Sequence, residues 1–341
     1  MSTNPRITVG IPAYKAQNTI LRTLSSIATQ DILEDLDVVI CNDADGIGYK
    51  KFIDMFKPYM NIKEIKLEKN GGPGVARQHI IDTCTTPLIT FVDADDTFSN
   101  AFALRILRTQ LLAEPQNACC WASFVEEQPN IFLAHNTDQV WMFSKLYKVE
   151  FLKHYNICFP PDSRSNEDGA FNTLCRLCSN EREQIKFIPD IVYYWHFKPD
   201  SITRIDNCNY SYNRSFTGFT SNQIWAIKEA EKRVPFNGQV MQHKVVTLCN
   251  LYEYFLETQA RDPRYEEQNW NSCRQYYREI YREIKDKIND DILAACYSQT
   301  MQNCYVGQKM TSIIPKIGFK EFLAKLEQEC QEEDKKENKG A

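Results

Sequence analysis

Three carboxylates stand together at Asp93, Asp95 and Asp96, directly behind the apolar run Leu88-Ile89-Thr90-Phe91-Val92. In an extended chain successive side chains alternate, so Asp93 and Asp95 fall on one face. Two hard oxygen donors on one face suit Mg²⁺ or Mn²⁺ carrying a phosphate-bearing ligand. The same residues would also serve as a solvated strand end or as an N-cap for a helix from Asn100 onward, and an isolated Asp-x-Asp is too short to choose between these. A second acidic pair, Glu167-Asp168, precedes a predicted helix over Phe171–Cys178, where acids are favoured by the helix dipole alone. Cys175-x-x-Cys178 on that helix lacks a second pair or a nearby His at zinc-ligand spacing, so these are read as buried reduced thiols.

The elements that carry these acids alternate in type. Ile7–Pro12, Asp37–Asp43, Ile62–Leu67 and Leu88–Val92 read as strands, rich in β-branched residues and bounded by Pro, Gly or Asp. Helical spacing runs from Asn18 through Ala28, over Lys50–Tyr59 and over Val75–Thr83. This order implies right-handed βαβ units and a mainly parallel sheet, whose ligand site lies beyond the carboxyl ends of the strands. Further along, a helix is predicted from Asn100 to about Ala113, and strands over Ala118–Glu126, Val140–Ser144 and Ile185–Trp195. After about Asn213 strand signals give way to helical periodicity, with Trp270, Cys273, Tyr277, Ile280, Ile284 and Ile288 on one stripe. The expected organisation is an α/β domain over 1–212, a helical region over 213–330 and a disordered, charged tail over 331–341.

Bulk properties narrow the class. The 341 residues carry a net charge of −5, which gives no global attraction to nucleic acid or to an anionic membrane. No apolar run is long enough to span a bilayer, and none near Met1 is signal-like. Thirteen cysteines, mostly scattered singly through apolar stretches, point to a reducing compartment, and the expected location is cytoplasmic.

Four segments then read together: Val9-Gly10-Ile11-Pro12-Ala13-Tyr14-Lys15, Ile40-Cys41-Asn42-Asp43-Ala44-Asp45-Gly46, Asn70-Gly71-Gly72-Pro73-Gly74-Val75-Ala76-Arg77-Gln78 and Phe91-Val92-Asp93-Ala94-Asp95-Asp96. In order, spacing and type they resemble the nucleotide-sugar-binding half of family 2 glycosyltransferases, which have the GT-A fold. The resemblance covers roughly residues 6–205. It implies a GT-A-like α/β fold and donor contacts from Pro12, Tyr14, Asp43, Gly72, Arg77, Asp93 and Arg204. Asp43 would meet the base, since a carboxylate can accept the uracil N–H, and Arg77 would reach a base or phosphate. Asp95 is the implied metal ligand through the diphosphate, with Asp93 on ribose or metal, His196 completing the metal shell or binding the diphosphate, and Asp96 the less certain member. Glu167-Asp168 resembles the family's Glu-Asp motif, whose Asp deprotonates the acceptor hydroxyl. Where the family usually has Asn, this chain has Lys15.

The expected function is therefore an inverting glycosyltransferase dependent on Mn²⁺ or Mg²⁺, moving a sugar from a nucleotide-diphospho-sugar, a UDP-sugar in the first instance, to an acceptor hydroxyl. Glycan, lipid-linked saccharide, protein and modified nucleobase all stay open as acceptors. The alternatives are a non-catalytic sugar-nucleotide or partner-binding protein on the same scaffold, which intact Asp93, Asp95 and Asp168 argue against, and a nucleotidyltransferase. The latter needs a Gly-rich basic loop after the first strand, which Ile11-Pro12-Ala13-Tyr14 does not supply. In the helical third, Arg274, Arg278 and Arg282 form a ridge interleaved with Glu279, Glu283 and Asp286, expected to be an ion-paired solvated face. That region, rich in Tyr and Trp, could also join copies into a homo-oligomer.

Overall fold

The computed structural model describes residues 4–199 except 137, 162, 164 and 165, then 208–234 and 238–261, and within 275–340 residues 275, 278–286, 289–291, 294, 295, 298 and 318–340. The chain divides into two compact units, Met1–Ile205 and Asp206–Ala341. The division falls before the expected boundary at 212 because a long helix already begins at Cys208.

The first unit is built on one sheet. Strands β1 (Ile7–Ala13), β2 (Leu36–Asn42), β3 (Asn61–Lys66) and β4 (Leu88–Phe91) are parallel neighbours in the order β3-β2-β1-β4. They alternate with helices α1 (Ile20–Ala28), α2 (Lys50–Phe56) and α3 (Pro73–Asp82). β1 is buried along its whole length, as a central strand covered on both faces must be. The second half departs from the mainly parallel expectation. The short β5 (Thr97–Phe98), β6 (Asn117–Glu127), β7 (Phe132–His135), β8 (Lys145–Lys148) and β9 (Gln184–Trp195) extend the sheet as β4-β8-β6-β9-β5, with β7 on β6. β8 runs antiparallel to both β4 and β6, β6 and β9 are parallel, and β5 is antiparallel to β9, so the sheet is mixed. Helices α4 (Ala103–Leu112), α5 (Val149–His154) and α6 (Glu167–Cys178) complete the unit.

The predicted strand over Val140–Ser144 is displaced. Its residues form bends, because Asp138 accepts the Val140 and Trp141 N–H groups and Ser144 has a left-handed φ of 58°; β8 starts only at Lys145. β7 was not foreseen.

In the second unit the described secondary structure is helical: α7 (Cys208–Arg233), α8 (Gly238–Arg261), residues 278–284 and α9 (Phe319–Gly340). Ile280 and Ile284 of the predicted stripe are buried, while Trp270, Cys273, Tyr277 and Ile288 lie outside the described residues. Residues 331–340, expected to be disordered, continue α9. Phe319, Phe322, Leu326 and Cys330 bury one face, and Arg278 and Arg282 bind Glu333 at 2.8 Å each, with Asp334 on Arg282 at 2.7 Å. Those pairs anchor a segment whose own composition has no apolar content; Arg278 and Arg282 are ion-paired as expected, but with acids of α9, and Arg278 is largely buried and not on a solvated face. Arg274 lies outside the described residues. Among the described residues no helix is long and apolar enough to cross a membrane.

Candidate active site

β4 ends at Phe91, so the three acids ride on a turn rather than on an extended strand, closed by the Asp96 N–H donating to the Asp93 carbonyl at 3.0 Å. The expected alternation survives the change of backbone. The Asp93 and Asp95 side chains are 31% and 34% exposed, whereas Ala94 and Asp96 are buried. Asp96 accepts the Tyr193 hydroxyl and the His196 N–H, each at 2.8 Å, and the Tyr193 oxygen in turn accepts the Asp93 N–H at 3.1 Å. Burial, then the charges of Asp93 and Asp95, push the Asp96 carboxyl well above the usual range. Asp96 thus shapes the turn from inside.

Asp95 is held by its backbone carbonyl, which accepts the Arg22 guanidinium, and its carboxylate faces Lys198 Nζ at 3.5 Å. Burial, then the neighbouring Asp93, raises its proton affinity. Oxygen donors whose charge is not fully offset suit a hard divalent cation. Among the described residues no three His, Cys, Asp or Glu side chains form a ready-made shell. The residues fit a cation held by one or two carboxylates whose remaining positions come from ligand phosphates and water.

His196 is not presented as a metal ligand. Its Nδ1 pairs with Glu127 at 2.9 Å and its Nε2 with the Thr97 hydroxyl at 2.9 Å, so both ring nitrogens are occupied in tying the end of β9 to β5 and β6. The hydrogen bond from His196 also draws the Glu127 pKa below its ordinary value.

Arg77 does not point outward to a nucleotide. It is buried in α3, donating from Nη2 to Asp93 at 2.7 Å and from Nη1 to Glu167 at 3.0 Å. Burial works against its charge, but Asp93 and Glu167 more than restore it and keep the guanidinium ionised. The side chain therefore joins the acids after β4 to the acids that open α6. That approach requires Gly74, since a Cβ there would lie 2.8 Å from Glu167 Cγ.

Glu167 and Asp168 form the first turn of α6, not a loop before it. Asn166 precedes them with φ 57°, a left-handed conformation that Asn tolerates. Asp168 is 9% exposed. Burial, and next the charge of Glu167, lift its pKa to about 7 against the opposing pull of Arg77. A carboxyl so tuned can exchange a proton near neutrality.

On the donor side, Asp43 is buried and both carboxylate oxygens are engaged, accepting the Gly71 N–H at 2.7 Å and the Gly72 N–H at 2.8 Å. It organises the glycine turn, where Gly72 has φ 89° and Pro73 starts α3. Asp45, which the sequence motif includes without a role of its own, holds the next turn by accepting the N–H groups of Ile47 and Gly48, each at 2.9 Å. Asp45-Gly46 was the available signal. Pro12 is buried beside Cys41, and Tyr14 stands 49% exposed where β1 ends. Lys15 places its ammonium 5.1 Å from the Tyr14 ring centroid and adopts φ 52°, a conformation for which Asn is better suited. Arg204 lies outside the described residues.

Residues 8–164 match the family model described as Glycosyl transferase family 2. Over that stretch, a little under half of the chain, the protein is similar to that family. The chain is 26% identical over 208 residues to poly(ribitol-phosphate) beta-N-acetylglucosaminyltransferase TarS of Staphylococcus aureus, covering 57% of this chain and 36% of TarS. It is 26% identical over 246 residues to poly(ribitol-phosphate) beta-glucosyltransferase of Bacillus spizizenii, covering 66% of this chain and 37% of that protein. The chain thus spans little more than a third of the length of these relatives. The crystal structure of S. aureus TarS 1–349 in complex with UDP-GlcNAc superposes with a TM-score of 0.61 at 16% identity, covering 89% of this chain and 92% of the other. The mannosyltransferase PcManGT from Pyrobaculum calidifontis, in complex with GDP-Man and Mn²⁺, gives 0.56 at 14% identity, covering 91% and 84%. These likenesses establish a GT-A-like fold.

Proposed function

We propose that this chain is an inverting family 2 glycosyltransferase that moves a sugar from a UDP-sugar to a hydroxyl of a carbohydrate or polyol chain. The observation that carries the reading is the network Asp93–Arg77–Glu167–Asp168, which joins a phosphate-side carboxylate to a buried acid with a pKa of about 7. Asp168 takes the proton of the acceptor hydroxyl as that oxygen bonds to the anomeric carbon. The bond from the anomeric carbon to the donor diphosphate breaks on the opposite face. Mn²⁺ or Mg²⁺, held by Asp95 with Asp93, would offset negative charge on the diphosphate. Tyr14 offers an exposed ring to the base, and the turn clamped by Asp43 frames it. The choice of uridine is supported by the TarS complexes with UDP-GlcNAc and UDP, and the acceptor class by the names of the relatives.

The test is incubation of the full chain with UDP-sugars, Mn²⁺ and candidate acceptors, following UDP release and product mass. Transfer that is lost in Asp95→Ala and in Asp168→Asn supports the assignment. A chain that binds no nucleotide sugar, or turnover unchanged in both variants, refutes it.

A further inference from the structure

Two loops open where β1 and β2 end side by side, with Ala13 opposite Asn42 in parallel register. The first loop carries the exposed Tyr14, and the second carries Asp43, which clamps the glycine turn. Both lie beyond the carboxyl ends of parallel strands, where open α/β sheets take their ligands. Asp45 joins them. Its Oδ1 accepts the Ile47 and Gly48 N–H groups at 2.9 Å each and Asn42 Nδ2 at 3.1 Å, contacts that a local turn explains. Its Oδ2 leaves that turn and accepts Gln17 Nε2 at 2.6 Å, from a residue 28 positions earlier in the chain.

A second tie runs beside the first. Tyr49, fully buried, accepts the Ala16 N–H on its hydroxyl at 3.1 Å, and the same hydroxyl stabilises the Asp45 carboxylate. Burial works against the charge of Asp45, but the Gly48 and Ile47 N–H groups, then Gln17 and Tyr49, hold its carboxyl well below the usual range. It is therefore ionised through the neutral range, and a hydrogen bond to an ionised acceptor is about twice as strong as a neutral one. A turn-forming Asp needs a single oxygen for its own turn. Only a carboxylate has the lone pairs to hold the turn and the neighbouring loop at once.

We infer that Gln17 and Asp45 are positioning residues for the nucleotide: their bond fixes the loop bearing Tyr14 against the loop bearing Asp43, and so sets the spacing of the groups that meet the base. This rests on the transferase reading above. Two loops held at a fixed spacing are pre-organised for one size of base, and the ordering cost of binding is lowered in advance. A spacing that suits a pyrimidine disfavours the larger purine, so releasing the clamp weakens binding and relaxes the choice together. Gln17 is half-buried on a loop, so its truncation reports on this bond and leaves the core alone.

The experiment measures UDP and GDP affinity of the full chain with Mn²⁺ by calorimetry, and stability by urea midpoint. Wild type is expected to prefer UDP. Gln17→Ala, which removes the bond between the loops and leaves the Asp45 turn intact, is expected to bind UDP about five- to tenfold more weakly, to show a narrower preference for UDP over GDP, and to keep its urea midpoint. Asp45→Ser, whose hydroxyl caps the turn without reaching Gln17, shows a similar loss, and the double variant no further one, because both changes remove the same bond. UDP affinity unchanged in Gln17→Ala, a preference that does not narrow, a fallen midpoint in that variant, or additive losses in the double variant overturns the clamp and leaves the transferase reading standing. A wild type that does not bind UDP overturns the transferase reading and the clamp with it.

Discussion

Replacing Asp168 by Asn mimics its protonated state and separates its chemical role from its energetic cost. In the folded chain its pKa is about 7, against an ordinary value of 3.8. Because the folded value is raised, the carboxyl opposes folding as pH rises: the unfolded chain ionises above 3.8, the folded one only near 7. At 1.36 kcal/mol for each tenfold change in proton affinity, the full cost above pH 7 has a ceiling of ~4 kcal/mol. The asparagine variant escapes that cost. Its stability advantage over wild type should therefore grow by ~3 kcal/mol between about pH 4.5 and 8.5, as the remaining carboxylates titrate alike in both proteins. Urea titrations at the two pH values, followed by tryptophan fluorescence, measure the difference. Sugar transfer should fall by ~10²–10⁴-fold, the contribution typical of a positioned general base. Wild-type transfer should rise with pH through 7 and level off above it. A variant that gains nothing between the two pH values would refute the buried-acid account, and one that keeps its turnover would refute the base assignment.

Gly74→Ala forces its Cβ against Glu167 and should cost ~1–3 kcal/mol by overpacking, with loss of transfer as α3 and α6 separate, measured by urea midpoint and UDP release. Arg77→Met leaves Asp93 and Glu167 buried or half-buried without their shared cation and should destabilise by ~3–5 kcal/mol; an unchanged midpoint would mean that the strut carries no energy. Lys15→Asn relieves a left-handed conformation and should stabilise by ~1 kcal/mol, seen as a raised urea midpoint.

Much of this protein was legible before any tertiary structure. Local patterns sufficed for β1 to β4 and their helices, because β-branched runs and helical spacing each bury a face in only one geometry. The four ordered motifs, with Glu167-Asp168, identified the family that residues 8–164 match. What failed was what depends on partners distant in sequence. β8 begins at Lys145 because Asp138 and Ser144 bend the preceding residues, and α9 continues through 331–340 because Arg278 and Arg282 reach it. Within the site, residue type announced charge but not direction. Asp43 turned to two glycine amides, Arg77 to two carboxylates, and His196 to Glu127 and Thr97. A buried charge has to find its compensation among whatever groups the fold brings near, so the choice of partner belongs to packing. The proton affinity of Asp168 is set the same way: the sequence by itself supplied an acid at a helix start, and only burial against Glu167 and Arg77 made it one that titrates near neutrality.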